Sequence, residues 1–205
     1  MNVGWWYSPL IGLLFGCAAY LSVGWGASIC RPVEPFEDGP QPGNPPTALL
    51  IGGAALVGAV IAVQGGTLPQ LALAAIVTAA LAGCWYCDVR VGIVPDYFTL
   101  IPLGVLLVVA FAFQEWATVV AAAAVTAPFA LAAAVSRGRG MGWGDVKLVA
   151  LGGAALGMQT AIVAFSAACL VAVAVAYLRK RKGVPIPFAP YLAGAMAVSL
   201  VFNVL

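Results

Sequence analysis

Gly140-Met141-Gly142-Trp143-Gly144-Asp145-Val146-Lys147 carries one carboxylate into the mouth of an apolar helix. From Val146 to Gly157 the only charge is Lys147, and six of those residues are glycine or alanine. The same pattern holds in both directions along the chain: long apolar runs, with charge confined to their ends. Asp88, 57 residues earlier, sits at a matching boundary. Over the whole chain, 63% of the 205 residues are hydrophobic and only 8% charged, and the mean hydropathy is +1.06. Repeated apolar runs at that density describe an all-α, polytopic membrane protein, since helices satisfy their own backbone in lipid.

Eight apolar segments are expected, forming a single integral-membrane domain over residues 1–205. They run near Pro9–Ile29, Ala48–Val63, Leu71–Cys87, Tyr97–Phe113, Ala117–Val135, Val146–Gly157, Thr160–Leu178 and Pro190–Leu205. The first is long and lacks a basic leader, so it is read as a retained span rather than a signal peptide. The sixth, at 12 residues, is short for a bilayer core that takes about 20 helical residues to cross. Its small residues suit close helix packing.

The basic residues set the expected orientation. Arg31, Arg90, Arg137, Arg139, Lys147 and the run Arg179-Lys180-Arg181-Lys182 all fall on one alternating set of connections. The positive-inside rule makes those connections cytoplasmic and sends both termini outward. Asp88, Asp96 and Asp145 then share the cytoplasmic side. One of these connections, the loop 31–47, holds six prolines with Glu34, Glu37 and Asp38. It reads as an extended connector.

The absence of histidine excludes a zinc site built on H-E-x-x-H and any Ser–His or Cys–His nucleophile pair. Cys84-Trp85-Tyr86-Cys87 is formally C-x-x-C, but no second pair accompanies it. Cys17, Cys30, Cys84, Cys87 and Cys169 read as small packing residues. No metal, cofactor or nucleic acid is called for. Carboxylates remain as the acid–base groups.

Asp145 has two readings, a helix N-cap at the membrane surface or half of a reactive pair. Lys147, two residues on, is expected to support its charge. Asp88 is read either as a boundary residue paired with Arg90 or as the partner of Asp145. Charges retained in an apolar chain are functional by default. Two carboxylates within a few ångströms share a proton, so one can activate water while the other donates to a carbonyl oxygen.

Three stretches carry a family resemblance. Gly142-x-Gly144-Asp145-x-Lys147-Leu148 resembles the G-x-G-D-x-K-L signature of the type IV prepilin peptidases. Asp88 followed by Pro95-Asp96 and Phe98-Thr99-Leu100 is similar to that family's first aspartate motif, an Asp leading into (I/L)-P-(D/N)-x-x-T. Ile186-Pro187-Phe188-Ala189-Pro190-Tyr191-Leu192-Ala193 resembles its I-P-F-G-P-(F/Y)-L-A element, with Ala189 in the glycine place. These motifs occur in family order and tie together residues 85–195, with Ile11–Gly16 a fainter likeness to the first helix. The resemblance implies an aspartic endopeptidase of the bacterial inner membrane with Asp88 and Asp145 catalytic. Gly142, Gly144, Lys147, Pro95, Asp96, Pro187 and Pro190 would be motif and support residues. It implies a prepilin or pseudopilin substrate, with a basic leader, a glycine at the cut and a hydrophobic helix beyond. The loop 31–47 is much shorter than the cytoplasmic domain of bifunctional members, so N-methylation is not carried over. Glu34, Glu37 and Asp38 would attract the basic leader. Neutralising all three is then expected to raise the apparent KM at low salt, and an unchanged KM would exclude that role.

Two other classes meet the same residues. Intramembrane proteases of the presenilin and signal-peptide-peptidase kind share G-x-G-D, but pair it with Tyr-Asp and Pro-Ala-Leu. Here Cys87 precedes Asp88 and no Pro-Ala-Leu occurs. A transport or assembly protein, with Asp145 merely a cap, is the non-enzymatic alternative.

Overall fold

The computed structural model describes residues 5–30, 45–136, 141–178 and 187–202. After a short turn at Trp5–Tyr7 come seven helices: α1 (Ser8–Ile29), α2 (Thr47–Val63), α3 (Leu68–Val91), α4 (Asp96–Ala112), α5 (Trp116–Val135), α6 (Trp143–Leu178) and α7 (Ala189–Phe202). No strand occurs among the described residues. Among them, α3, α5, α6 and α1 with its leading turn are long and apolar enough to cross a membrane, while α2, α4 and α7 are shorter apolar helices. The protein is an all-α, polytopic membrane protein.

The eight expected segments occupy seven helices because the sixth and seventh run together as α6. Straight, its 36 residues would span about 54 Å, far more than the ~30 Å of bilayer hydrocarbon. It is not straight. Gly157 has φ 72° and ψ 168°, outside any helical conformation. A methyl placed on Gly152 would meet the Phe165 ring at 2.3 Å. Thirteen residues apart on one straight helix, these two would lie about 20 Å from each other. The chain therefore doubles back at Gly157, and α6 is a hairpin of a short arm and a full-length arm. Only glycine takes that φ without strain.

The short arm is the centre of the bundle. Leu148, Val149 and Leu151 are wholly buried, and the run from Gly152 to Leu156 is buried throughout. Close approach explains the small residues: a methyl on Gly153 would sit 3.0 Å from the backbone of Ala121 and Ala122 on α5. In α7 the buried set Ala189, Leu192, Ala193, Met196 and Leu200 makes one helical stripe. That stripe faces α6 and α3, with Met196 beside Gly152 and Trp85 beside Gly194. On the other side α1 and α2 pack through Gly12, against the Ala55 carbonyl, and Gly58, against Phe15. The outward faces carry exposed Leu13, Leu14, Leu21, Val108, Leu131 and Leu170, as a lipid-facing surface requires.

α3 begins at a capping box, in which the Thr67 N–H donates to Gln70 Oε1 (2.9 Å). It ends at Gly92 in the left-handed conformation (φ 68°), whose N–H donates to the Asp88 carbonyl (2.9 Å). This cap extends α3 beyond the expected end at Cys87. Asp88 thus lies within the last turn of the helix, not after it. Arg31, Glu34, Glu37 and Asp38 lie outside the described residues, as do Arg137, Arg139, Arg179 to Lys182 and Ile186.

Candidate active site

Three helix ends meet at one edge of the bundle: the end of α3, the start of α4 and the start of α6. They enclose a cavity of about 220 Å³ lined by Asp88, Gly92, Ile93, Val94, Asp96, Gly142, Gly144, Asp145 and Lys147. Both candidate carboxylates therefore face one space, although they come from different helices.

Asp88 is 8% exposed. A buried carboxylate is costly unless it is hydrogen-bonded. Its Oδ2 accepts the N–H of Ala189 (3.0 Å), the first residue of α7. Helix N-termini present free N–H groups and positive dipole, so α7 is aimed at this carboxylate. Pro190, next in α7, needs no N–H partner there, and Pro187 lies just before the helix. That explains the Pro187–Pro190 turn: its main chain holds Asp88. The pairing of Asp88 with Arg90 is not found. Arg90 instead donates to the Tyr86 hydroxyl, and its guanidinium lies 5.7 Å from that ring's centroid. The geometry favours the turn one helical step back, since Tyr86 is four residues before Arg90.

Asp145 stands in the first turn of α6. Its Oδ2 lies 3.5 Å from where a Gly142 Cβ would be. Gly144 rests on Val94, where an added methyl would come within 2.9 Å of the Val94 Cβ. Crowding against Val94 thus requires glycine at 144, whereas a Cβ at 142 would make only ordinary contact with the carboxylate. Lys147 does not serve Asp145. Its Nζ pairs with Asp96 Oδ1 at 2.5 Å. Two residues apart on a helix, side chains do not face each other, and Lys147 reaches along the cavity to the start of α4. Pro95 caps that helix with extended backbone (ψ 141°). Thr99 donates to the Asp96 carbonyl (3.3 Å).

Cys84 and Cys87 are fully buried in α3. Their thiols donate to the carbonyls of Phe98 and Gly26, each at 3.8 Å. All five cysteines are free thiols. The residues that sequence reasoning missed are Ala189, which acts through its main chain, and Val94, the seat of Gly144. The Pro187–Pro190 turn signalled the first, and nothing in the sequence signalled the second.

A helical membrane protein with an acidic cavity at the junction of three helix ends is the class that fold and site define. The family model of the type IV leader peptidases matches residues 75–177, half of the chain. The chain belongs to that family, and is a peptidase. The match includes Asp88, Asp96, Asp145 and Lys147, and ends before Pro187. Comparison with curated proteins and with solved structures gives no match.

Proposed function

We propose that the protein is an aspartic endopeptidase that removes the basic leader from prepilin or pseudopilin precursors, with Asp88 and Asp145 as its catalytic pair. One observation carries the reading: carboxylates 57 residues apart in sequence line the same cavity. The ionised carboxylate takes a proton from water as its oxygen attacks the scissile carbonyl. The protonated one donates to the developing oxyanion. As the tetrahedral intermediate collapses, the carboxyl that took the water proton gives it to the leaving nitrogen, the C–N bond breaks and a hydroxyl proton returns to the other carboxylate, leaving a new carboxyl and a new amino terminus. No covalent intermediate is required.

The site sits at the bundle edge that bears Arg90 and Lys147, two of the residues on the positive side of the expected topology. In a bacterial inner membrane that side faces the cytoplasm, where a basic leader remains after its hydrophobic helix has entered the bilayer. Coexpression with candidate precursors tests the proposal: a shortened precursor is expected on a gel, and no shortening with any precursor contradicts it.

Asp96 is not assigned to the pair, because Lys147 already occupies it. Asp96→Asn keeps an oxygen for the Lys147 ammonium. It is expected to lower the processing rate by less than about threefold, since the amide oxygen still accepts from the ammonium and keeps Lys147 in place. A precursor time course in the same coexpression system measures this. A loss as large as that of Asp88→Asn would move Asp96 into the catalytic pair.

A further inference from the structure

The geometry points to the Lys147–Asp96 ion pair as a positioning brace that fixes Asp145 relative to Asp88, an inference resting on the catalytic pair proposed above. Asp96 is tied to Asp88 through a short, stiff connection. Gly92 caps α3 by bonding the carbonyl of Asp88 itself (2.9 Å), and Pro95 starts α4 with a fixed φ. Lys147 is tied to Asp145 by about half a turn of α6. The ion pair, at 2.5 Å, joins these two rigid pieces, and all four side chains line one cavity. Among the described residues it is the one salt bridge. Gly144 also rests on Val94, an apolar contact that sets no charge in place.

The pair is half exposed, with Lys147 at 33% and Asp96 at 58%. It therefore adds little to folding stability. Its effect is on placement, where a shift of about 1 Å can lower a rate about 100-fold. A residue that binds the substrate would change KM; a brace changes kcat.

The test compares Lys147→Met with Lys147→Arg, which keeps the charge. The first arm uses the purified chain in liposomes and a precursor with basic leader, glycine at the cut and hydrophobic helix. Lys147→Met is expected to lower kcat between about 10- and 100-fold with KM within about twofold, and Lys147→Arg to restore most of it. The second arm needs no substrate. In a chain whose five native cysteines are alanine, Ile93→Cys and Trp143→Cys, both at exposed positions, are cross-linked by a bis-maleimide. Lys147→Met is expected to slow that cross-link several-fold, and Lys147→Arg to leave it near the parent rate. If Lys147→Met leaves the cross-linking rate unchanged, or raises KM while kcat holds, the brace is excluded. If the parent chain cleaves no precursor but the cross-link responds as expected, the proposed function fails and the brace stands.

Discussion

Gly144→Val is expected to lower precursor processing about 100-fold while the protein still inserts and folds. The single methyl of an alanine would already lie 2.9 Å from the Val94 Cβ and 3.4 Å from the Val94 carbonyl oxygen. Valine adds two branches in the same direction. Val94 has little room to retreat. It is 8% exposed and sits between Gly92, held in a left-handed cap, and Pro95, with its ring-fixed φ. The start of α6 must therefore lift, and Asp145 lifts with it. Overpacking of this kind costs about 1–3 kcal/mol of stability, which the buried short arm of α6 can absorb. The loss should fall on kcat, with Gly144→Ala between valine and the parent. A time course of precursor conversion, set beside the melting temperature of the purified chain, separates the two effects. A Gly144→Val chain within about threefold of the parent rate would show that this contact does not position the carboxylate.

Much of this was legible in the sequence, for identifiable reasons. Apolar runs separated by charge fixed the helices to within a few residues, because lipid leaves the backbone no alternative to a helix. The break near Gly157 was visible as a segment too short to cross. Its physical form, a hairpin folding Phe165 back onto Gly152, was not, because one glycine with positive φ leaves no periodic trace. The Asp88–Asp145 association was expected from their matching boundaries. The partners of each carboxylate were less accessible. Lys147 lay two residues from Asp145 and was read as its support, whereas helix geometry turns it 51 residues back in sequence to Asp96. Arg90 was read as a partner for Asp88 and instead bonds Tyr86 on its own helix. The donor to Asp88 is a main-chain N–H 101 residues away. A backbone donor leaves no mark in side-chain chemistry, so only the flanking prolines at 187 and 190 hinted at it.

Asp88→Asn and Asp145→Asn should each lower processing by at least about 1,000-fold, the largest effects expected of any substitution here. Asparagine is nearly isosteric with aspartate. At position 88 it keeps an oxygen to accept the Ala189 N–H, so the end of α3 stays joined to α7. At position 145 it preserves the fit against Gly142. Folding and insertion should therefore survive both changes. What disappears is the ability of the pair to share and exchange a proton. Because the two carboxylates act as one unit, losing either leaves the other without a partner, and the double variant should be no slower than each single one. The measurement closest to the central claim is the mass spectrum of a precursor incubated with the reconstituted chain. The parent chain is expected to release the leader by cutting one peptide bond, and each asparagine variant to leave the precursor intact over the same time. An inserted Asp145→Asn or Asp88→Asn chain that cuts that bond at more than about a tenth of the parent rate would contradict the account.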